Sequence, residues 1–347
     1  MLALRLNLPC HRARDGSSLG AGPLAYADIE LDLNGHTIDG DGVLGCADFY
    51  ACDFGVDNTA GHLGVTIEDG TIRDFATAVF VFGGSDNRLR RLSASRNILG
   101  GMLVIASPGT RIKHNSISAN GLTTDQAGLI VFDSGEIRIQ RNSVRHNGDI
   151  GMFLIGIGDS RVERNSVSGN PEAGMFVEGN GNEVSRNRVS QSVDGMIVTG
   201  DGNTIVGNHM TEMGGFGISF EGGQGNLIVR NLIAGAGEAG IRVADFESEG
   251  GPPAINNVVQ RNRALHAEVD GVLVESTAAD TLLKRNIAIG AGDDGIDVGS
   301  AGTTLTRNLA LRNGDFGIEA VLGVIDGGGN KARGNGNSAQ CLNVACR

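Results

Sequence analysis

The chain has 347 residues, with 56 Gly, 6 Pro, 12 Phe, 2 Tyr and no Trp, and a formal net charge of −12 at pH 7. Glycine is at more than twice its ordinary share, yet 40% of the residues are apolar, enough for a sizeable core, so a disordered chain is excluded. No stretch approaches the roughly 18 apolar residues that cross a bilayer, and the negative charge argues against nucleic acid or an anionic membrane surface as partner.

Residues 1–29 read as an N-terminal segment or cap. Leu2–Leu8 is too short an apolar region for a convincing signal peptide and is interrupted by Arg5. From 30 to 332 the chain alternates short β-branched segments, such as Arg161–Ser168, with Gly, Asn and Asp, and no segment keeps a helical period for ten residues. A unit of basic residue, Asn, then a small or apolar residue recurs at Asn115, Asn142, Asn165, Asn187, Asn208, Asn231, Asn262, Asn286 and Asn308, at intervals of 21 to 31 residues. Nine residues after most of these Asn comes Gly, an apolar residue, any residue and usually Val, as at Gly151, Gly174, Gly217, Gly240 and Gly295. Self-similarity at such a period is the mark of a solenoid. Strand–turn units of about 22 residues predict an all-β parallel β-helix of about twelve coils, near 55–60 Å long, followed by a C-terminal cap over 333–347.

Strand alternation then assigns faces. The apolar residue after each Gly points inward, which puts Met102, Met152, Met175 and Met196 in the core. The repeated Asn reads as an inward ladder that satisfies turn amides. The next residue points outward, and this column runs Ile130, Phe153, Phe176, Ile197, Ser219, Arg242, Leu273, Asp297, Glu319. Phe153 and Phe176 would stack on sugar rings or, equally, pack beneath a loop or another chain. Excursions at Gly121–Ala127 and Ala244–Ile255 bracket this apolar stripe. His209, Met210 and Met213 form a local His/Met group of the kind that suits Cu(I), but alternation sends neighbours to opposite faces. The Arg column before the Asn (Arg141, Arg164, Arg186, Arg230, Arg261, Arg285 and Arg307) is either copied repeat with solvated side chains or a track for an acidic polysaccharide.

Toward the C-terminus Asp270, Asp293, Asp294, Asp297, Asp315 and Glu319 fall on three consecutive coils. So many carboxyls cannot all stay ionised without help. Either some pKa values rise, which suits a general acid, or a cation such as Ca²⁺ binds.

The segment Asp-Leu-Asn-Gly-His-Thr-Ile-Asp-Gly over 32–40, followed by the coil repeats, resembles the right-handed parallel β-helix proteins of the pectate-lyase-like superfamily, and within it the NosD-type group of carbohydrate-binding and sugar hydrolase domains. The likeness covers about residues 30–347 and implies a right-handed helix. Gly-Asp-Asp-Gly-Ile-Asp-Val over 292–298 is similar to a polygalacturonase-type segment, which would cast Asp270, Asp293 and Asp294 as catalytic acid and water activators. Phe316 stands where that family has His, and no Arg-Ile-Lys follows. The resemblance implies a polysaccharide partner, and the outward column offers Phe153, Phe176, Arg242, Asp297 and Glu319 as its contacts. The function expected is binding or hydrolysis of a polysaccharide, anionic by the Arg column. The alternatives are a non-catalytic binding protein and a Ca²⁺-dependent lyase, with Arg242 as its base.

The five cysteines, Cys10, Cys46, Cys52, Cys341 and Cys346, lie near the two ends. Cys46 with Cys52 and Cys341 with Cys346 suit local disulfides that staple the ends, leaving Cys10 over; their spacing is loose for zinc. Oxidised cysteines and the family together imply a secreted, periplasmic or cell-surface protein.

Overall fold

The computed structural model describes residues 28–44, 52–121, 126–246 and 253–347, with the backbone of Leu4–Arg5. Among these there is no helix. The chain winds into a parallel β-solenoid of three faces. Thirteen parallel strands, from Leu4–Arg5 to Ile318–Ala320, stack into the first face. The other two faces form one 24-stranded sheet, because Thr66–Arg73 and Arg88–Ser95 run unbroken around the corner between them. One coil shows the pattern: Ala127–Phe132, Arg138–Gln140 and Ser143–Arg145, after which Ile150–Gly158 opens the next.

Alternation sets what each strand buries. In Arg138–Gln140 only Ile139 turns inward, and it stacks between Ile112 and Val162 on the coils beside it. On the first face Met102, Leu129, Met152, Met175 and Met196 stack in register, all fully buried. Each such side chain contributes about 1.5–3 kcal/mol relative to exposure. Met210 and Met213 also lie in the core, whereas His209 is half-buried and faces outward.

The corners explain the Asn repeat. Asn142, buried, donates its backbone N–H to Asn165 Oδ1 (2.9 Å) and its side-chain amide to Asn165 Oδ1 (3.0 Å) and the Ile112 carbonyl (2.9 Å). The same three bonds recur at Asn165, Asn187, Asn208, Asn231, Asn262 and Asn286. Bending the chain would orphan these backbone groups, and the Asn side chains replace the lost partners. A second ladder at the next corner joins Asn97, Asn120, Asn147 and Asn170. The residue before each first-ladder Asn is left-handed, for example Arg141 (φ 55°) and Arg261 (φ 55°), with Gly207 (φ 64°) at the same corner.

At the C-terminal end Cys341 and Cys346 form a disulfide with Cα atoms 6.2 Å apart. Cys341 pairs with Ile318 and Cys346 with Asn330, so the staple lies across the last coil. Replacing both cysteines by serine should lower unfolding free energy by about 2 kcal/mol, the loop-entropy value for so short a ring; denaturation with and without reductant checks this. Cys52 is disulfide-bonded as well. Cys10 and Cys46, and the tips of both expected excursions, lie outside the described residues.

Candidate functional site

The first face carries the outward column in the expected register. Ile130, Phe153, Phe176, Ile197, Ser219, Arg242, Leu273, Asp297 and Glu319 are paired coil by coil. Five coils separate Phe176 from Asp297, a span of about 24 Å at the usual strand spacing. The column thus passes from an apolar half to an acidic half.

In the apolar half Phe80 and Leu103 continue the column but are covered, in a small cluster with Cys52, Phe54 and Ala76. The stripe then opens. Phe153 and Phe176 are half-buried, with ring centroids 5.3 Å apart, and Phe132 meets Phe153 edge-on at 5.7 Å. Phe54, Leu103, Ile130, Phe132 and Phe153 line a cleft of about 560 Å³ whose polar rim includes Asp149 and Glu172. An apolar floor with a few rim carboxylates suits a ring with one apolar face and hydroxyls at its edge.

Between the halves sits Arg242, which is only 5% exposed. Its Nε donates to Glu275 Oε1 (2.6 Å), one of its terminal nitrogens to Glu221 Oε1 (3.0 Å), and its guanidinium lies 5.1 Å from the Phe216 ring centroid. Arg242 is therefore on the column but enclosed. A guanidinium held by two carboxylates keeps its charge, so it is poorly disposed to act as a base. Glu221, Glu275 and Phe216 were not expected from the repeat, since the partners come from irregular spacings of 21 and 33 residues.

The acidic half brings all six carboxyls onto adjoining coils. Asp194, Asp270 and Asp294 occupy one corner position, and Oδ1 of each accepts a backbone N–H from the next coil: Phe216 (2.8 Å), Asp294 (3.0 Å) and Phe316 (2.7 Å). Asp270 and Asp294 are 6% and 4% exposed, whereas Asp293 is exposed and Asp297, Asp315 and Glu319 are half-buried. Burial pushes the Asp294 carboxyl up to about 8, aided by a hydrogen bond shared with Glu319 and by the charge of Asp293. Burial likewise pushes Asp270 up to about 6, with the charges of Asp297, Asp293 and Glu319 adding to it. Asp297 is raised by burial and by Glu319. Asp294 thus keeps its proton near neutral pH and shares a hydrogen bond with Glu319. Asp293, Asp294 and Asp315 each offer an oxygen within 4.8 Å of the others, an arrangement of hard donors that a Ca²⁺ ion would accept.

Two overlapping stretches, residues 54–208 and 158–316, match the family described as the right handed beta helix region. The chain belongs to this right-handed β-helix family. Among solved structures it is similar to the mannuronan C-5 epimerase A-module of Azotobacter vinelandii, with 16% identity over 79% of this chain and 84% of that one and a TM-score of 0.60. It is also similar to the catalytic unit of an α-1,3-glucanase from Streptomyces thermodiastaticus, with 12% identity over 80% of this chain and 63% of that one and a TM-score of 0.61. At these identities the likeness is one of fold. No curated protein sequence matches the chain significantly.

Proposed function

We propose that this β-helix protein is an exported enzyme that binds a polysaccharide along its first face and hydrolyses a glycosidic bond over the acidic coils. The observation that carries the reading is the buried Asp294 carboxyl, kept protonated near neutral pH beside Glu319, which lies on the same column as Phe153 and Phe176. Glycosidic cleavage needs such an acid beside a second, ionised carboxyl. Asp294, buried, passes its proton to the more exposed Glu319, which hands one on to the leaving-group oxygen as the bond from the anomeric carbon breaks. Asp293, exposed to solvent, takes a proton from the water whose oxygen bonds to that carbon. Asp297 faces the same way and accepts a sugar hydroxyl. Asp270, buried and bonded to the Asp294 amide, positions the acid and does not touch the substrate. The named folds act on mannuronan and on α-1,3-glucan, which agrees with a polysaccharide as the substrate class, and the disulfide at the last coil agrees with export.

A second reading has its own observation, the three converging oxygens of Asp293, Asp294 and Asp315. Ca²⁺ held there would neutralise a uronate carboxylate and favour elimination. A panel of polysaccharides, with and without Ca²⁺, separates the two. Reducing ends released without ultraviolet absorbance, and lost in Asp294→Asn, are the expected result. Absorbance from unsaturated products appearing only with Ca²⁺ would move the assignment to a lyase. No product from the folded protein on any polymer would leave a binding protein.

A further inference from the structure

On the second face, away from the acidic coils, Arg88, Arg111, Arg138 and Arg161 pair in register, one per coil. Two residues on from Arg111, Lys113 sits half-buried beside them, and Arg141 holds the adjoining corner. Neighbouring cations at this face are locked to acids: Arg90 to Glu68, and Arg91 to Asp69. By contrast Arg111, Lys113, Arg138 and Arg141 have no carboxylate within ion-pair distance among the described residues; Arg161 has Glu183 at 3.6 Å. The surplus charge is felt inside the cluster. Lys113 is pushed below the usual lysine range by burial and then by Arg111 and Arg138. Stacked like charges on an acidic protein remain costly until an anion intervenes.

We infer that this face is a second polysaccharide-binding surface, remote from the acidic coils, that holds a linear uronate chain running along the rod. One guanidinium per coil recurs at about 4.8 Å, close to the rise of one sugar in an extended 1,4-linked chain, and guanidinium forks suit carboxylates. The groove of about 380 Å³ beside this row is edged by Asp86, Glu136 and Asp159. Those carboxylates accept sugar hydroxyls. Strands 88–90, 111–113, 138–140 and 161–163 also carry no aromatic residue, which single-stranded nucleic acid would use for stacking. The inference rests on the polysaccharide reading and extends it to an anionic polymer.

The test is calorimetric titration of the full-length protein and of an Arg138→Gln/Arg141→Gln variant with hexagalacturonate, maltohexaose and a single-stranded DNA hexamer. The expected result is hexagalacturonate binding that weakens about tenfold in the variant and falls steeply with salt, with weak or no binding of the other two. Arg312→Gln, on an exposed distant corner, should bind as the parent does, and equal melting midpoints show that the variants fold. Equal hexagalacturonate affinity in parent and double variant would overturn this surface while leaving the polysaccharide reading intact. DNA bound as tightly as the uronate would overturn the assignment of partner. Failure of every saccharide to bind, together with silence in the product assay, would overturn both readings.

Discussion

Asp294→Asn is expected to have no turnover and yet to melt above the parent at pH 8, with the gap closing as the pH falls toward 4. The substitution copies the protonated side chain. Asn keeps the oxygen that accepts the Phe316 N–H and presents an amide N–H to Glu319 in place of the carboxyl proton. Its amide cannot pass a proton on to Glu319, so the leaving group is not protonated and catalysis is lost. The stability sign follows from linkage. The folded carboxyl holds its proton up to about 8, whereas an unfolded Asp releases it near 3.9. Between these values the folded state binds more protons than the unfolded one, so parent stability falls with rising pH. The stabilisation from protonation is full below about pH 4 and is lost as the pH rises through about 8. Asn does not titrate, so its stability lacks this slope. At about 1.4 kcal/mol per pKa unit the full shift would exceed about 5 kcal/mol; with the proton shared between two carboxyls, about 2 kcal/mol is expected at pH 8. Melting scans of both proteins from pH 4 to pH 9 read this directly. A gap that does not change with pH would mean that Asp294 is ionised throughout, and the general-acid role would fall.

The same scans bear on the cation. Ca²⁺ bound by Asp293, Asp294 and Asp315 would hold Asp294 ionised, so millimolar Ca²⁺ would raise the parent's melting midpoint at pH 8 and leave Asp294→Asn unmoved. No effect of Ca²⁺ on the parent would remove the second reading.

Much of this site is legible in the sequence because β alternation is a local rule. Once the Gly units at 151, 174, 295 and 317 set the register, the residues two beyond them share a column, and Phe153, Phe176, Asp297 and Glu319 fall in line. Cover is not local. Phe80 and Leu103 belong to the same column but are buried in a cluster with Cys52, Phe54 and Ala76, and Arg242 is enclosed by Glu221 and Glu275 from coils of unequal length. The proton shared by Asp294 and Glu319 also depends on burial, which the repeat does not report. Other features carried a signal that the first repeat obscured. The second Asn ladder follows the first by five residues, as in Asn115 and Asn120 or Asn142 and Asn147. The row Arg88, Arg111, Arg138 and Arg161 becomes visible only when coils of 23 and 27 residues are aligned by their strands.

Asn165→Leu is expected to be among the most damaging single changes in the rod, although it puts a similar volume of apolar side chain into the core. Asn165 Oδ1 accepts the Asn142 backbone N–H (2.9 Å) and, with the Ile112 carbonyl, its side-chain amide, and Asn165's own amide donates to the Ile139 carbonyl (3.0 Å). Leucine leaves the Asn142 N–H and the Ile139 carbonyl buried without those partners. Each orphaned buried group costs about 1–3 kcal/mol, so a loss of about 3–5 kcal/mol follows. Ser166→Ala, at the adjacent exposed position, should stay within about 0.5 kcal/mol. A solenoid is held mainly by contacts between neighbouring coils, so the damage should be local before it is global. Amide hydrogen exchange is expected to show protection lost at Asn142 and along the strands beside it, while Ile318–Ala320 at the far end exchanges as in the parent. Uniform loss along the whole rod would show that it unfolds as a single unit, and unchanged exchange at Asn142 would show that the ladder carries little of the stability.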